Sequence, residues 1–170
     1  MFHRKSTIVL FSLIAFSLAG IGVAQSTETV PAPGEEVSLL ERYTNDAQDL
    51  ILKGLELVGI NYRRGGVNPD SGLDCSGFVH VVFRDALGKL LPRTAKEQSK
   101  VGEVVDKNEL QPGDLVFFNT MRRAFSHVGI YLGDSRFMHS PRPGGKIRIE
   151  SMNQGYWAKR YNGARRIMER

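Results

Sequence analysis

The sequence contains one cysteine, Cys75, and its neighbours favour a reactive thiol. Residues 72–78 (GLDCSGF) lead from a glycine-rich turn into a stretch with the apolar spacing of a helix. A cysteine in the first turn of a helix lies near the positive end of the helix dipole and near free backbone N–H groups, and both favour the nucleophilic thiolate. A buried structural role is the common alternative for a free thiol. The local pattern alone gives the two interpretations equal weight.

A nucleophilic cysteine needs a base, and three histidines follow residue 24. His80 lies five residues after Cys75 on the same predicted helix, and its ring points elsewhere because it is about 140° further round the axis. His127 and His139 begin one β-type run and end the next, with residues 133–135 (GDS) between the runs. These two histidines are the candidates for a base and its partner, although each could also be a polar residue at a strand end.

The turn between the two β-type runs decides whether His127 and His139 share a face of the sheet. A three-residue loop pairs Leu132 with Arg136 and places both rings on one face, diagonally across adjacent strands and about 7 Å apart. A two-residue loop places them on opposite faces. A shared site therefore requires the longer turn or a β-bulge that restores the same register.

Together, Cys75, His127 and His139 have the chemistry of acyl transfer. His127 can hold the thiol as thiolate by taking its proton, and can later give that proton to a leaving amine. His139 can hydrogen-bond to the second nitrogen of that ring and fix its tautomer. The backbone N–H of Cys75 is suited to stabilise an oxyanion, so the simplest reaction is hydrolysis of an amide. This chemistry requires no metal or cofactor, and we expect none.

Helices are predicted first along the chain and strands second. Apolar side chains recur at helical spacing over residues 40–58, and a second helix is expected over residues 75–87, closed by Gly88. A capping-box pattern at Thr94 predicts a short third helix as far as Ser99. This order predicts an α+β domain with helices packed on an antiparallel sheet. The β-type runs are residues 114–118, 127–132, 136–140, 147–152 and 164–168.

The first 24 residues have the pattern of a secretory signal. Two basic residues precede an uncharged stretch, residues 6–24, which ends with small residues suited to cleavage after Ala24. An uncleaved membrane anchor is the alternative, but serines and a threonine dilute the apolar stretch and no basic cluster follows it. We therefore expect export without a stable membrane anchor. Residues 25–38 are expected to form a flexible leader, and residues 39–170 the folded domain.

The charge balance argues against nucleic acid as a partner. The chain has 23 Lys and Arg and 18 Asp and Glu residues, a net charge of +5. Cleavage after residue 24 removes two basic residues and leaves +3 (5 minus 2). So small a charge on an exported protein attracts nucleic acid weakly and suits an anionic polymer such as a cell wall. The single cysteine excludes an intramolecular disulfide and any CxxC metal site.

Six short motifs carry a resemblance to a known family. They are YRRGG (62–66), DCSGF (74–78), LPRT with a later Gln (91–98), LQPGDLVFF (110–118), SHVGIY (126–131), and YW followed by RY and GARR (156–166). In this order and spacing they resemble the NlpC-type cysteine peptidases of bacterial cell walls. The resemblance extends over residues 50–167, nearly the whole predicted domain.

The resemblance implies a papain-like α+β fold, with the nucleophile at a helix N-terminus. It also implies hydrolysis of amide bonds in the stem peptides of peptidoglycan (murein) or in their cross-links. In the motifs of this family Cys75 is the nucleophile, His127 the base, and His139 the third residue, which orients the ring of the base. The protein is therefore expected to be a peptidoglycan endopeptidase that acts by a Cys-His-His mechanism.

The resemblance also implies that Tyr62, Asp74 and Ser76 line the substrate side of the cleft. A phenol and a carboxylate there could hold the charged groups of a muropeptide. Arg93 matches the family's motif as well, but the sequence assigns it no role. The motifs do not decide which bond is cut. Two alternatives keep the fold and change the function, namely a non-catalytic wall-binding module and an amidase or acyltransferase; in each case we expect a periplasmic monomer.

Overall fold

The first helix begins earlier in the chain than the sequence predicts. The computed structural model of the protein describes residues 33–120 and 122–168, and the first helix, α1, comprises Pro33–Glu56. Residues 33–38, which were expected in a flexible leader, are therefore helical, and that part of the prediction is wrong. Proline suits the first position of a helix because the N–H that it lacks would have no partner within the helix there.

The second helix, α2, comprises Cys75–Leu87, the bounds that the sequence predicts. Asp74 caps its start, because the carboxylate accepts a hydrogen bond from the N–H of Gly77 at 2.7 Å. Gly88 ends the helix with a φ of 65°, a left-handed conformation that glycine adopts without steric cost. The helix packs against α1 and the sheet through side chains that are fully buried, namely Phe78, Val79, Val81, Val82 and Phe83.

Two further helices are single turns. The third, α3, comprises Ala95–Gln98 and begins with the predicted capping box. Thr94 Oγ1 accepts a hydrogen bond from the N–H of Glu97, and the Glu97 carboxylate accepts one from the N–H of Thr94, each at 3.2 Å. The fourth, α4, comprises Gly155–Ala158 and was not predicted; it places Trp157 in the core.

The strands form a hairpin before α2 and a larger antiparallel sheet after it. Their bounds are β1 Val67–Asn68, β2 Gly72–Leu73, β3 Glu103–Val105, β4 Leu115–Phe118, β5 His127–Gly133, β6 Arg136–His139, β7 Arg148–Ser151 and β8 Tyr161–Arg166. The hairpin pairs β1 with β2, and the six-stranded sheet has the order β3-β8-β4-β5-β6-β7. The predicted α+β class, with helices packed on an antiparallel sheet, is confirmed.

The hairpin strands β1 and β2 were not predicted, and two strands of the main sheet differ from the prediction. Strand β3 was missed because it has three residues and exposes Val104, so it shows no alternation of buried and exposed side chains. Strand β8 begins at Tyr161 rather than at residue 164. The sequence hides this start because Asn and Gly follow Tyr161, and Gly163 has a φ of 122° where the pairing with β4 becomes irregular.

The main sheet is buried on both faces around its central strands. Alternate residues of each strand point to opposite faces, which explains why β4 is an uninterrupted apolar run. The face covered by α1 and α2 carries Leu115, Phe117, Val128, Ile130 and Met138. The opposite face packs around Trp157 of α4 and carries Val116, Phe118, Tyr131 and Phe137.

A two-residue turn joins β5 to β6, and not the three-residue loop that would pair Leu132 with Arg136. Its central residues, Asp134 and Ser135, have φ angles of 50° and 56°, as a type I′ turn requires. The strand pairing shifts by one residue just before the turn, which leaves Leu132 as a β-bulge. Beyond the bulge the register is the one that a three-residue loop would give. His127 and His139 therefore lie on the same face of the sheet.

The predicted N-terminal signal is not part of the described structure. Residues 1–24, with the expected cleavage after Ala24, lie outside the described residues, as do residues 25–32 of the leader. Among the helices of residues 33–120 and 122–168, none is long and apolar enough to cross a bilayer.

Candidate active site

Cys75 is the first residue of α2 and lines a cleft of about 550 Å³. Asp74 holds the turn that precedes the helix, because its Oδ2 also accepts a hydrogen bond from the N–H of Gly65 at 2.9 Å. Gly77 has to be glycine, since a Cβ there would overlap the carbonyl oxygen of Gly66. As a whole residue, Cys75 is half-buried. The DCSG sequence thus builds a close-packed helix start with the thiol at the cleft.

The two candidate histidines are in direct contact. His127 begins β5 and lines the same cleft as Cys75, and His139 ends β6. Nε2 of His127 lies 2.8 Å from Nδ1 of His139, and the ring centroids are 5.0 Å apart with the planes nearly perpendicular. The rings are closer than the spacing of about 7 Å expected for a diagonal pair. His80 is on another side of α2, with Nδ1 2.7 Å from the carbonyl oxygen of Leu91.

Glu150 of β7 is the next residue in this chain of contacts. Its Oε2 lies 2.8 Å from Nε2 of His139, and its Oε1 accepts hydrogen bonds from Nε and Nη2 of Arg148 at 3.0 and 2.9 Å. The bond to His139 and the charge of Arg148 lower the pKa of Glu150 to about 2 despite partial burial. Glu150 is therefore an ionised acceptor at neutral pH.

An ionised carboxylate can only accept, and this assigns the protons of both rings. His139 must carry its proton on Nε2 to donate to Glu150, so Nδ1 of the neutral His139 is an acceptor. Nε2 of His127 must then donate to that Nδ1. The remaining nitrogen of His127, Nδ1, keeps its lone pair and can receive a proton.

Both histidines are neutral at neutral pH. Burial lowers the pKa of His127 well below the ordinary imidazole value, the neighbouring His139 lowers it further, and Glu150 opposes the shift. Burial also lowers the pKa of His139, against the hydrogen bond and charge of Glu150, which raise it. His127 is thus available as a base rather than as a resting cation.

The thiol of Cys75 does not have the lowered pKa that its helix position predicts. Burial, together with the negative charge of Asp74, raises the pKa to about 11. The backbone N–H groups of Val128, Ser76 and Cys75 act in the opposite direction but are outweighed. The expected thiolate is therefore corrected to a protonated thiol at neutral pH.

The residues expected to line the substrate side divide into two groups. Tyr62 lines the cleft, and burial together with the charge of Cys75 raises the pKa of its phenol. Asp74 and Ser76 instead bind Arg93, whose Nη2 lies 2.6 Å from Asp74 Oδ2 and whose Nη1 lies 2.9 Å from Ser76 Oγ. Arg93, which had no predicted role, thus joins both side chains at the start of α2.

Two residues beside the histidines had no role predicted from the sequence. Trp157 stacks on His127 with ring centroids 5.3 Å apart and donates from Nε1 to Glu150 Oε2 at 2.8 Å. Glu150 lies within the predicted run 147–152, where an acid between apolar residues was the available signal. Its relation to His139 depends on the pairing of Glu150 with Phe137, which only the β6–β7 register reveals.

A protonated thiol at a helix start, in one cleft with a neutral histidine that contacts a second histidine, is the arrangement of a papain-like cysteine hydrolase. The sequence profile of the NlpC/P60 family matches residues 59–166. The chain belongs to the NlpC/P60 family, and the resemblance of its motifs is confirmed. Among the described residues, no group of three or more His, Cys, Asp or Glu side chains could hold a metal ion.

Relatives and solved structures agree with this assignment. The chain is 39% identical over 148 residues to the murein DD-endopeptidase MepS/murein LD-carboxypeptidase of Escherichia coli K12. The aligned region covers 87% of this chain and 77% of that protein. It is 44% identical over 111 residues to the gamma-DL-glutamyl hydrolase of Bacillus subtilis, covering 65% of this chain and 27% of that one. An NlpC/P60 family crystal structure from Bacillus cereus matches with a TM-score of 0.67 at 39% identity, covering 72% and 40% of the two chains. The NlpC-type fold is confirmed.

Proposed function

We propose that this protein is an exported peptidoglycan (murein) endopeptidase, a cysteine peptidase that hydrolyses amide bonds in stem peptides or their cross-links. The observation that carries the proposal is the placement of Cys75 at the start of α2 in one cleft with His127, whose Nδ1 is the free proton acceptor. Two relatives support the substrate class, one named a murein DD-endopeptidase and LD-carboxypeptidase and the other a gamma-DL-glutamyl hydrolase. Because these names refer to different bonds, the proposal covers both.

Acylation begins with a neutral thiol and a neutral imidazole. Sγ of Cys75 attacks the carbonyl carbon of the amide while the thiol proton passes to Nδ1 of His127. This step forms a C–S bond and an imidazolium, and the backbone N–H of Cys75 donates to the oxyanion. The intermediate collapses when the C–N bond breaks and His127 gives its proton to the leaving amine. A thioester on Cys75 remains.

Water then releases the second product. His127, neutral again, takes a proton from a water molecule as the water oxygen attacks the thioester carbon. The C–S bond breaks, and the sulfur of Cys75 recovers its proton from His127. The products are an amine and a carboxylic acid, and both catalytic residues return to their resting protonation states.

We place the substrate in the cleft that Cys75 and His127 line. Tyr62 lines this cleft as well, and we propose that Asp74 and Ser76 act on substrate through the shape and charge they give the start of α2, since Arg93 binds both. Arg142 also lines the cleft; it is exposed and suits a free carboxylate of a stem peptide.

Export is part of the proposal. Residues 1–24 have the composition of a secretory signal, and peptidoglycan lies outside the cytoplasmic membrane. We propose that the chain is cleaved after Ala24 and acts in the periplasm as a monomer whose catalytic domain begins with α1. Mass analysis of the protein recovered from a periplasmic extract tests this, because cleavage predicts a mature chain that begins at Gln25.

Digestion of purified peptidoglycan tests the activity. Wild-type protein should release fragments with new amino groups at stem-peptide or cross-link bonds, identified by separation and mass analysis. Cys75→Ala should lower the rate by about 10³-fold or more, because it removes the nucleophile. Unchanged digestion by this variant would contradict the mechanism, and fragments cut between sugars would contradict the bond class.

Two histidine variants provide a matched comparison. His127→Gln should lose activity as Cys75→Ala does, whereas His80→Gln should retain it because His80 lies on α2 away from the cleft and contacts the carbonyl of Leu91. Binding of muropeptides without any cleavage by wild-type protein would favour the wall-binding module. Products in which the acyl group is transferred to another amine would favour an acyltransferase.

A further inference from the structure

Glu150 has more protein donors around it than a surface carboxylate needs. Oε2 faces the ring N–H of His139 and the indole N–H of Trp157, each at 2.8 Å, and Oε1 faces Nε and Nη2 of Arg148 at 3.0 and 2.9 Å. Its side chain is only 18% exposed. A carboxylate has about four lone-pair sites, so these donors use its whole capacity.

We propose that Glu150 is a positioning residue that fixes the orientation and tautomer of His139 and, through it, of His127. The proposal rests on the proposed function in one respect, that Cys75 and His127 perform the reaction. Glu150 extends the cysteine–histidine–histidine site by a fourth member, which is held in place by two elements, β7 and α4. It acts through His139 and does not touch the reacting atoms.

The alternative role of Glu150 is direct contact with substrate, because it lines part of the cleft. The contacts argue against this role. Both oxygens are already occupied by donors from Trp157, His139 and Arg148. A substrate amine that displaced His139 or Trp157 would leave a buried ring or indole N–H without an acceptor, at a cost comparable to a lost hydrogen bond.

The carboxylate also matters when His127 becomes an imidazolium. That cation donates from Nε2 to His139, which donates in turn to Glu150, so the new positive charge is connected to an anion through one intervening ring. Arg148 is the other charged group that faces Glu150, and it keeps the carboxylate ionised. Hydrogen-bonded chains of this kind stabilise the charge that develops at the base.

Glu150→Gln separates positioning from packing because it keeps the shape of the side chain and replaces one acceptor oxygen by an NH₂ donor group. An amide has one acceptor oxygen and one NH₂ group. If the NH₂ group faces His139, that ring must accept on Nε2 and carry its proton on Nδ1. His127 must then hold its own proton on Nδ1, the atom that has to receive the proton of Cys75. One orientation of the amide therefore gives an inactive tautomer.

Nitrogen NMR of histidine-labelled full-length protein tests the assignment without any substrate. In the wild type we expect the rings of both His127 and His139 to carry their proton on Nε2, and in Glu150→Gln we expect a measurable Nδ1–H population in both. His3→Gln and His80→Gln serve to assign the two remaining rings of the full-length chain. An Nδ1–H tautomer of either ring in the wild type would overturn the proposal, even if the variant does not fold.

Kinetics provide the second readout. In Glu150→Gln we expect kcat on muropeptides and the alkylation rate of Cys75 by iodoacetamide each to fall roughly 10- to 100-fold, with KM unchanged, as when an orienting carboxylate behind a histidine is removed. Asp134→Asn is the matched control, because it makes the same charge change on an exposed residue, and it should alter neither rate more than about twofold. A raised KM with unchanged kcat and alkylation would show instead that Glu150 binds substrate.

Arg148→Met provides a rescue test. Without the guanidinium, the amide of Glu150→Gln can direct its oxygen to His139 and its NH₂ group to the space that Arg148 leaves. The double variant should therefore recover several-fold in alkylation rate over Glu150→Gln alone, and the absence of recovery would contradict the tautomer argument. Alkylation and NMR do not depend on the substrate, so the failure of peptidoglycan digestion in the wild type would overturn the proposed function and leave these tests of Glu150 intact.

Discussion

In the proposed mechanism Cys75 and His127 exchange one proton, so their resting states determine how activity depends on pH. Burial raises the pKa of Cys75 to about 11 and lowers that of His127 well below the ordinary imidazole value. The acid is therefore weak and the base is neutral across the physiological range. A neutral pair of this kind differs from a resting thiolate–imidazolium pair, in which the base would already be protonated.

This difference predicts the shape of the pH profile. As the pH falls, activity is lost only when His127 becomes protonated, so the acid limb of kcat/KM should lie below the ordinary histidine pKa of about 6.5. As the pH rises, loss of the thiol proton should not limit activity until the solution approaches the raised pKa of Cys75. Initial rates on a soluble muropeptide across the pH range measure both limbs. An alkaline limb well below the raised pKa of Cys75, where the imidazolium of an ion pair would lose its proton, would indicate a resting ion pair instead.

At the scale of elements, the start of α2 connects stability to the reactivity of the thiol. Asp74 caps the helix through Gly77 and pairs with Arg93, yet its negative charge also raises the pKa of Cys75. The cap and the thiol therefore have opposite requirements for charge at this position. A neutral cap would favour the thiolate, and the charged one favours the ion pair with Arg93.

Asp74→Asn tests this opposition. Asparagine keeps a cap oxygen, so the helix should remain, but loss of the charged hydrogen bonds to Arg93 should lower the free energy of unfolding by about 1.5–3 kcal/mol. Removing the anion should lower the pKa of Cys75 and speed its alkylation at neutral pH. Asp85→Asn is the matched control in the last turns of the same helix, where Asp85 pairs with Arg84, and it should leave alkylation unchanged. Equal rates in the two variants would contradict an effect of the Asp74 charge.

For the whole molecule, the features that could be predicted are those with local causes. The bounds of α2 follow from Asp74 before it and Gly88 after it, and a cap acts within one turn of its own helix. The catalytic candidates were found because Cys75, His127 and His139 are chemically distinctive residue types. The bulge at Leu132 was one of two ways to place both histidines on one face, and the sequence could not choose between them.

The features that were missed depend on pairing between distant segments. Strand β3 is defined by its partner β8, not by a pattern of its own. Glu150 reaches His139 only because β6 and β7 pair in one particular register. The raised pKa of Cys75 has the same origin, since burial by the surrounding fold outweighs the helix start that the sequence shows.

The C-terminal strand is joined to the rest of the domain by a buried ion pair. Arg166 of β8 donates from Nε and Nη2 to Asp114 at 2.8 and 2.7 Å, and Nη2 also donates to the carbonyl of Glu109 at 3.0 Å. The side chains of Arg166 and Asp114 are 5% and 0% exposed. Removing one partner of such a pair leaves the other charge buried without compensation.

Asp114→Ala should therefore be among the more damaging changes outside the cleft. We expect it to lower the free energy of unfolding by about 3–5 kcal/mol, measured by urea denaturation. Asp134→Asn removes the charge of an exposed pair with Arg136 and keeps a residue type that tolerates the left-handed φ of 50° at this turn, so it should cost no more than about 1 kcal/mol. Because Asp114 lies outside the catalytic cleft, the folded fraction of Asp114→Ala should hydrolyse muropeptides at the wild-type rate. Similar small losses in both variants would mean that the buried pair contributes little to holding β8 in the sheet.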